Sequence, residues 1–160
     1  MNKQEIYRHL TALGIDYEAT EHPAVYNMEE LEAIALPHPE AEAKNLFLRD
    51  AKKRNYYMVT VPGDKPVDLK QFGADKGLGK LSFGSAEDLE ALLGLYPGAV
   101  SPLGLLNDET HRVTLYLDKD FEDRLIAIHP NDNTATLCLK TEDLLQVLTT
   151  AGCTVQMVQI

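Results

Sequence analysis

Three short patterns in this 160-residue chain combine residue types that can act on a bound molecule. Lys44-Asn45 sets an ammonium beside an amide at the mouth of an apolar strand, just after an Ala/Glu-rich segment. Gly98-Ala99-Val100-Ser101-Pro102 is an apolar bend. Its glycine lets the backbone approach a ligand and its proline stiffens the far end, so the N–H groups between them are expected to be free donors. Ile128-His129-Pro130-Asn131 brings an imidazole to the end of a strand. A cation, amide donors and an imidazole together could stabilise developing negative charge and orient a water molecule. Each pattern also has an ordinary reading: a surface cation, a surface turn and a hydrogen-bonded structural histidine.

Other chemistries are excluded by what is missing. The sequence holds no GxSxG elbow, no HExxH, no P-loop and no GxGxxG. Cys138 lies in an alternating apolar segment and reads as a small core residue, which leaves no Cys–His nucleophile pair. Cys138 and Cys153 form neither a CxxC nor a disulfide framework, which suits a reducing compartment. No His or Cys pair stands at zinc-finger spacing, so neither a metal nor a cofactor is expected.

Charge narrows the partners. The formal net charge is −10, yet between Lys44 and Lys80 nine basic residues face four acidic ones. That segment carries +5 and the remainder −15. Such asymmetry steers a polyanion to one region while the acidic remainder suppresses indiscriminate binding. The alternative is that the lysines merely solubilise strands. With 44% apolar and 25% charged residues the chain fits one folded domain spanning 1–160. The least charged stretch, Leu89 to Asn107, is broken by Pro97, Pro102, Gly94, Gly98 and Gly104, so no membrane span of about 20 residues is expected. The polar N-terminus carries no secretory signal, which makes the cytoplasm the expected compartment.

The elements that must position these residues follow from periodicity. Ile6, Leu10 and Leu13 form the stripe of a first helix that stops at Gly14, and residues 15–20 alternate as a strand. Asn27 caps a second helix expected to run through about Ala35. Residues 45–49 and 56–61 read as an antiparallel hairpin with the basic tip Lys52-Lys53-Arg54. Helices are expected after Asp68, after Ser85 and from Thr141, with further strands at 81–83, 113–117, 125–128, 134–139 and 154–160. Residues 96–106 read as an apolar loop.

Taken in order, the Lys-Asn at a strand start, the GxxxP bend and the apolar-His-Pro-Asn strand end resemble the YbaK family. These are the editing domains of bacterial prolyl-tRNA synthetases and their free-standing relatives. Residues 17–25 with their Glu-His-Pro, residues 56–62 and residues 98–105 resemble the free-standing ProX branch. The resemblance spans essentially the whole chain. It implies an α+β domain with a mixed, mostly antiparallel sheet or partial barrel of short strands and flanking helices. It also implies hydrolysis of the ester of a mischarged tRNA. Lys44 matches the family's essential lysine, Asn45 its pocket neighbour, Gly98 and Pro102 the ends of the substrate loop, and Ile128 and His129 the wall of the aminoacyl pocket. Lys44, His129 and Gly98 are thus the catalytic candidates. Asn45, Ala99, Val100, Ser101, Pro102 and Ile128 are the substrate-binding ones, and Lys52, Lys53 and Arg54 are candidates for acceptor-stem phosphates. The substrate the resemblance implies is alanine on tRNA(Pro); related proteins can carry Met where Ile128 stands, which keeps cysteine on tRNA(Pro) as the alternative. The implied partners are the tRNA acceptor end and, transiently, prolyl-tRNA synthetase, with no DNA or membrane. From other classes, a tRNA-binding module without hydrolysis and a small-molecule binder remain. The latter predicts basic residues dispersed away from the pocket.

Overall fold

Short polar side chains decide where the helices begin. Asn2, Asn27, Asp68 and Ser85 each accept the backbone N–H three residues on. They start α1 (Lys3–Ala12), α2 (Met28–Glu32), α3 (Leu69–Lys76) and α4 (Ala86–Leu93). α5 (Thr141–Thr150) begins without such a cap. The strands are β1 (Tyr17–Glu21), β2 (Ala43–Asp50), β3 (Tyr56–Pro62), β4 (Leu81–Phe83), β5 (Val113–Asp118), β6 (Leu125–Ile128), β7 (Ala135–Lys140) and β8 (Thr154–Val158). All 160 residues are described in this computed structural model.

The strands form two sheets, β1-β7-β6 and β4-β2-β3-β5-β8. The first is antiparallel throughout; in the second, β4-β2-β3 is antiparallel and β3-β5-β8 is parallel. β3 lies at the centre and is buried on both faces, which is why it reads as an uninterrupted apolar run. Its Tyr56 and Met58 enter the main core with Phe47, Leu115, Ile126, Ile128, Leu137 and the apolar faces of α1, α4 and α5. Its Tyr57, Val59 and Val61 enter a second cluster, capped by Phe72 of α3. The fold is α+β with mostly antiparallel strands, and the sheets do not close into a barrel. A single bridge, Glu42 to Ala127, links them beside β2 and β6.

Two expectations change. The second helix ends at Glu32 and not at Ala35, because Leu36 turns in to join Val25 and Leu31. A spacing of five residues from Leu31 would place Leu36 on a different helix face, so burying both requires leaving the helix. Within the apolar loop, Pro102–Asn107 winds into a 3₁₀ helix started by the Ser101 hydroxyl, which accepts the Leu103 N–H at 3.2 Å. Cys138 is buried against Ala41 and Ala127, and burial pushes its thiol up to about 11. It is a core residue, as its pattern indicates. No helix is long and apolar enough to cross a membrane.

Glu42 is the unusual group in this frame. It is only 7% exposed, and its carboxylate takes no hydrogen bond from the protein. Burial first, then Glu32 and Glu40, push its pKa upward. The folded chain therefore holds that proton more tightly than the unfolded one. The stability this group contributes is complete below the unfolded carboxyl value near 4.3 and is lost as pH rises through the folded value. Glu42→Gln is expected to raise Tm at pH 7.5 and leave it unchanged at pH 3.5, as read by calorimetry.

Candidate functional site

The free edge of β2 is where the site forms. β4 covers β2 only over Leu48–Asp50, so the stretch that begins with Lys44 and Asn45 has no strand on that side. A cavity of about 200 Å³ opens there. Lys44, Asn45, Gly98, Val100 and His129 line it, together with Tyr26, Asn27, Met28 and Leu31. Three stretches scattered along the sequence thus meet in one hollow.

Alternation along β2 gives Lys44 and Asn45 different tasks. Asn45 shares a face with Phe47 and acts as a strut. Its Oδ1 accepts the Thr60 hydroxyl at 2.6 Å, and its Nδ2 donates to the Val100 carbonyl at 3.3 Å. It therefore fixes the bend more than it offers itself to a ligand. Lys44 shares a face with Leu46, and its Nζ donates to the Lys65 carbonyl at 2.5 Å. An ammonium has three N–H donors, so two remain.

The bend has the Pro–Gly signature of a type II turn: Pro97 precedes Gly98, whose φ is +96, and the Ala99 N–H returns to the Tyr96 carbonyl at 3.0 Å. A β-carbon at Gly98 would also stand 3.0 Å from the Tyr26 ring, so both the φ and the space call for glycine. This geometry corrects the expectation of three free amides. Only the Ala99 N–H is consumed, by the turn, while the Ser101 amide has no protein acceptor but sits on a fully buried residue. The Gly98 and Val100 amides have no protein acceptor, and both residues line the cavity. Ala99, Pro102 and Ile128 are likewise buried away from the hollow, Ile128 in the main core. Period-two alternation requires that last result, since His129 follows Ile128 and turns the other way.

His129 is half-buried, and its Nδ1 lies 2.8 Å from the Ala135 carbonyl. A carbonyl only accepts, so Nδ1 carries the proton and Nε2 presents a lone pair. Burial pushes the imidazole pKa below its ordinary value, against the opposing pull of that hydrogen bond. His22 stands 6.2 Å away between ring centres. Asn133 ties the neighbouring segments together: its Nδ2 donates to the Val25 carbonyl at 2.8 Å, and its Oδ1 accepts the Tyr96 hydroxyl at 3.0 Å.

The charges are less concentrated than the sequence suggests. Arg49 pairs with Asp88 at 2.9 Å, and Lys65 pairs with Asp118 at 2.7 Å and Asp120 at 2.9 Å. Lys52, Lys53 and Arg54 are exposed at the hairpin tip, and the six residue steps from Lys44 to Asp50 separate that tip from the cavity. At about 3.3 Å per residue this is about 20 Å. A larger hollow of about 920 Å³ lies beyond Met28, lined by Glu32, Glu40, Glu42, Asp64 and Asp120 with Arg124 as its one cation. Its sign repels a polyanion, so the smaller cavity is the candidate site for one. Tyr26, Met28 and Leu31 escaped the sequence reading. Their signal was a capped helix between Pro23 and Pro37 that is too short to stand alone.

With this geometry in place, comparisons with known proteins converge. The aminoacyl-tRNA editing domain family matches residues 22–147. Prolyl-tRNA editing protein ProX of Acetoanaerobium sticklandii is 43% identical over 159 residues, covering 99% of this chain and 97% of its own. Prolyl-tRNA synthetase associated domain-containing protein 1 of Mus musculus is 35% identical, covering 94% and 91%. A crystal structure described as a candidate trans-editing enzyme for prolyl tRNA synthetase superposes with a TM-score of 0.70 at 22% identity, covering 99% and 96%, and shares the fold.

The His129 assignment is open to direct measurement. Nitrogen-15 NMR should find the Nδ1–H tautomer, titrating below the ordinary histidine value of about 6.5. An Nε2–H tautomer would mean that no lone pair faces the cavity.

Proposed function

The chain belongs to the aminoacyl-tRNA editing domain family, and from that membership we propose that it hydrolyses the ester of mischarged tRNA(Pro), removing alanine. The observation that carries this reading is the meeting of Lys44, the Gly98–Val100 backbone and His129 around one small cavity. The name of the Acetoanaerobium sticklandii relative supports the same class of substrate.

An aminoacyl ester is already activated, so positioning and charge stabilisation suffice without a protein nucleophile. Water adds to the carbonyl carbon, and negative charge gathers on the carbonyl oxygen. The unpaired Gly98 and Val100 amides are the donors available to that oxygen. The bond to the ribose oxygen then breaks, the proton passes to that oxygen, and the amino acid leaves as a carboxylate. Lys44 holds the terminal adenosine through its phosphate or ribose and adds positive charge near the reacting centre. A ribose hydroxyl of the substrate positions the water, with the His129 Nε2 lone pair as the protein group able to accept from it.

Size accounts for selectivity. A synthetase pocket built for proline rejects the smaller alanine weakly, because a missing methylene is worth only about 1–3 kcal/mol. A second and smaller pocket clears alanine while the ring of proline is kept out. The exposed cations Lys52, Lys53 and Arg54 stand about 20 Å from the cavity, a reach that suits phosphates further down an acceptor stem.

Two experiments test this reading. In a deacylation panel of alanyl-, cysteinyl-, seryl- and prolyl-tRNA(Pro), alanine release should be fastest and proline release absent. Lys44→Ala should lower kcat/KM for alanine at least about a hundredfold. A wild-type rate in that variant removes the lysine from the mechanism, and faster cysteine release reassigns the substrate. Neutralising Lys52, Lys53 and Arg54 together should flatten the salt dependence of tRNA binding by about two in log–log slope. An unchanged slope would take the hairpin tip out of the RNA contact.

A further inference from the structure

The Lys44 ammonium sits on a flexible four-carbon stem, and an unconstrained lysine of this kind loses substantial rotamer entropy when it is fixed. Its protein partner here is the Lys65 carbonyl, at 2.5 Å. That carbonyl belongs to the connection between β3 and α3, where the Lys65 N–H closes a turn onto the Pro62 carbonyl at 3.0 Å. A turn of this kind is anchored weakly by its backbone alone.

The Lys65 side chain supplies the missing anchor. It runs to the end of β5, where its Nζ donates to Asp118 Oδ2 at 2.7 Å and Asp120 Oδ2 at 2.9 Å. Asp118 is fully buried, and its second oxygen accepts the Asp120 N–H at 3.0 Å, so the carboxylate cannot swing to follow a moving partner. Burial alone would lower the Lys65 pKa, but the two carboxylates outweigh it and hold the ammonium charged. Lys65 therefore spans two sites: its side chain is bolted to a buried anion on β5, and its carbonyl receives the cation of the pocket.

We propose that Lys65 is a positioning residue for the reaction: its ion pair with Asp118 fixes the Lys65 carbonyl that receives the Lys44 ammonium, and so sets where that ammonium stands beside the cavity that Lys44 lines. This rests on the deacylase reading above, in which Lys44 acts on the substrate. Displacing a reacting or charge-stabilising group by about 1 Å can cost on the order of a hundredfold in rate. An anchor at this distance from the chemistry thus has measurable leverage.

The test must separate aiming from folding. Lys65→Met alone leaves a buried carboxylate without its cation and can fail to fold. The decisive protein is therefore Lys65→Met combined with Asp118→Asn, which removes both charges and keeps the oxygen that accepts the Asp120 N–H. It should fold with a cooperative melt and release alanine about ten- to a hundredfold more slowly in kcat, with KM changed less than about twofold. Lys65→Arg, which keeps the ion pair and the carbonyl, should restore most of the rate. In the Lys44→Ala background the same double change should have no further effect on kcat/KM, since residues acting through one group are not additive. Ammonium-selected NMR of the full protein gives a readout independent of activity: the Lys44 Nζ–H signals should be retained in the wild type and exchange-broadened in the double variant. Wild-type kcat in the double variant, an undiminished effect in the Lys44→Ala background, or unaltered Lys44 signals would each overturn the anchor. A Lys44→Ala protein with full activity would instead overturn the deacylase scheme, and the NMR comparison would still report on the anchor by itself.

Discussion

The pairing of β2 with β3 is the constraint on which the site depends. Its register sets Lys44 opposite Val61 and Asn45 opposite Thr60. Successive residues of a strand face opposite ways, so a slip of one position would exchange the two side chains. The ammonium would then point at Thr60 and the bend, and the strut between Thr60 and Val100 would be lost. Burial of the two faces holds the register: Phe47 and Met58 fill the main core, while Leu48, Val59 and Val61 fill the cluster under α3. Apolar surface on both sides of one hairpin is thus what aims two polar residues at its open end.

A second ordering principle is electrostatic. For a chain of net charge −10 to take a polyanion, as proposed above, its acidic surface must lie away from the approach to the site. The five carboxylates of the larger hollow lie together, and Met28 lies between that hollow and the small cavity and lines both. Gly63 makes room for this partition, since a β-carbon there would stand 2.4 Å from the Met28 methyl. Of the basic residues between Lys44 and Lys80, Arg49 and Lys65 are spent on internal ion pairs, whereas the hairpin tip stays in solvent. The positive surface is therefore smaller than the sequence count implies, and besides the tip and the cavity it includes the exposed Lys70 and Lys80.

What the sequence made legible follows from which interactions are local. The caps Asn2, Asn27, Asp68 and Ser85, the hairpin and the Pro97-Gly98 turn are local in the chain, and each forms where its signal lies. Lys44, Gly98 and His129 were picked out by residue type and by family resemblance, and they do share a cavity. The bend is less legible, because the hydrogen bond that makes the turn is not visible in a glycine-to-proline spacing. Ala99 gives its N–H to that turn, and Ala99, Pro102 and Ile128 are buried. Lys65 stayed invisible as more than a surface cation because both of its roles are nonlocal. One joins it to Lys44 through the backbone, and the other to Asp118 across two strands.

Satisfied and unsatisfied polar groups divide the labour within the cavity. Asn45, Thr60, Asn133 and the Ala99 amide are engaged with protein partners, and such groups chiefly hold a shape. What stays uncommitted around the cavity includes two N–H of Lys44, one N–H of Asn45, the Gly98 and Val100 amides, the exposed Tyr26 hydroxyl and the Nε2 lone pair of His129. That set offers donors, one group of them positively charged, and a neutral imidazole acceptor. The lining holds no cysteine, aspartate or glutamate. On the reading proposed above, such a set suits a bond that water already attacks readily, as an aminoacyl ester is and a peptide is not.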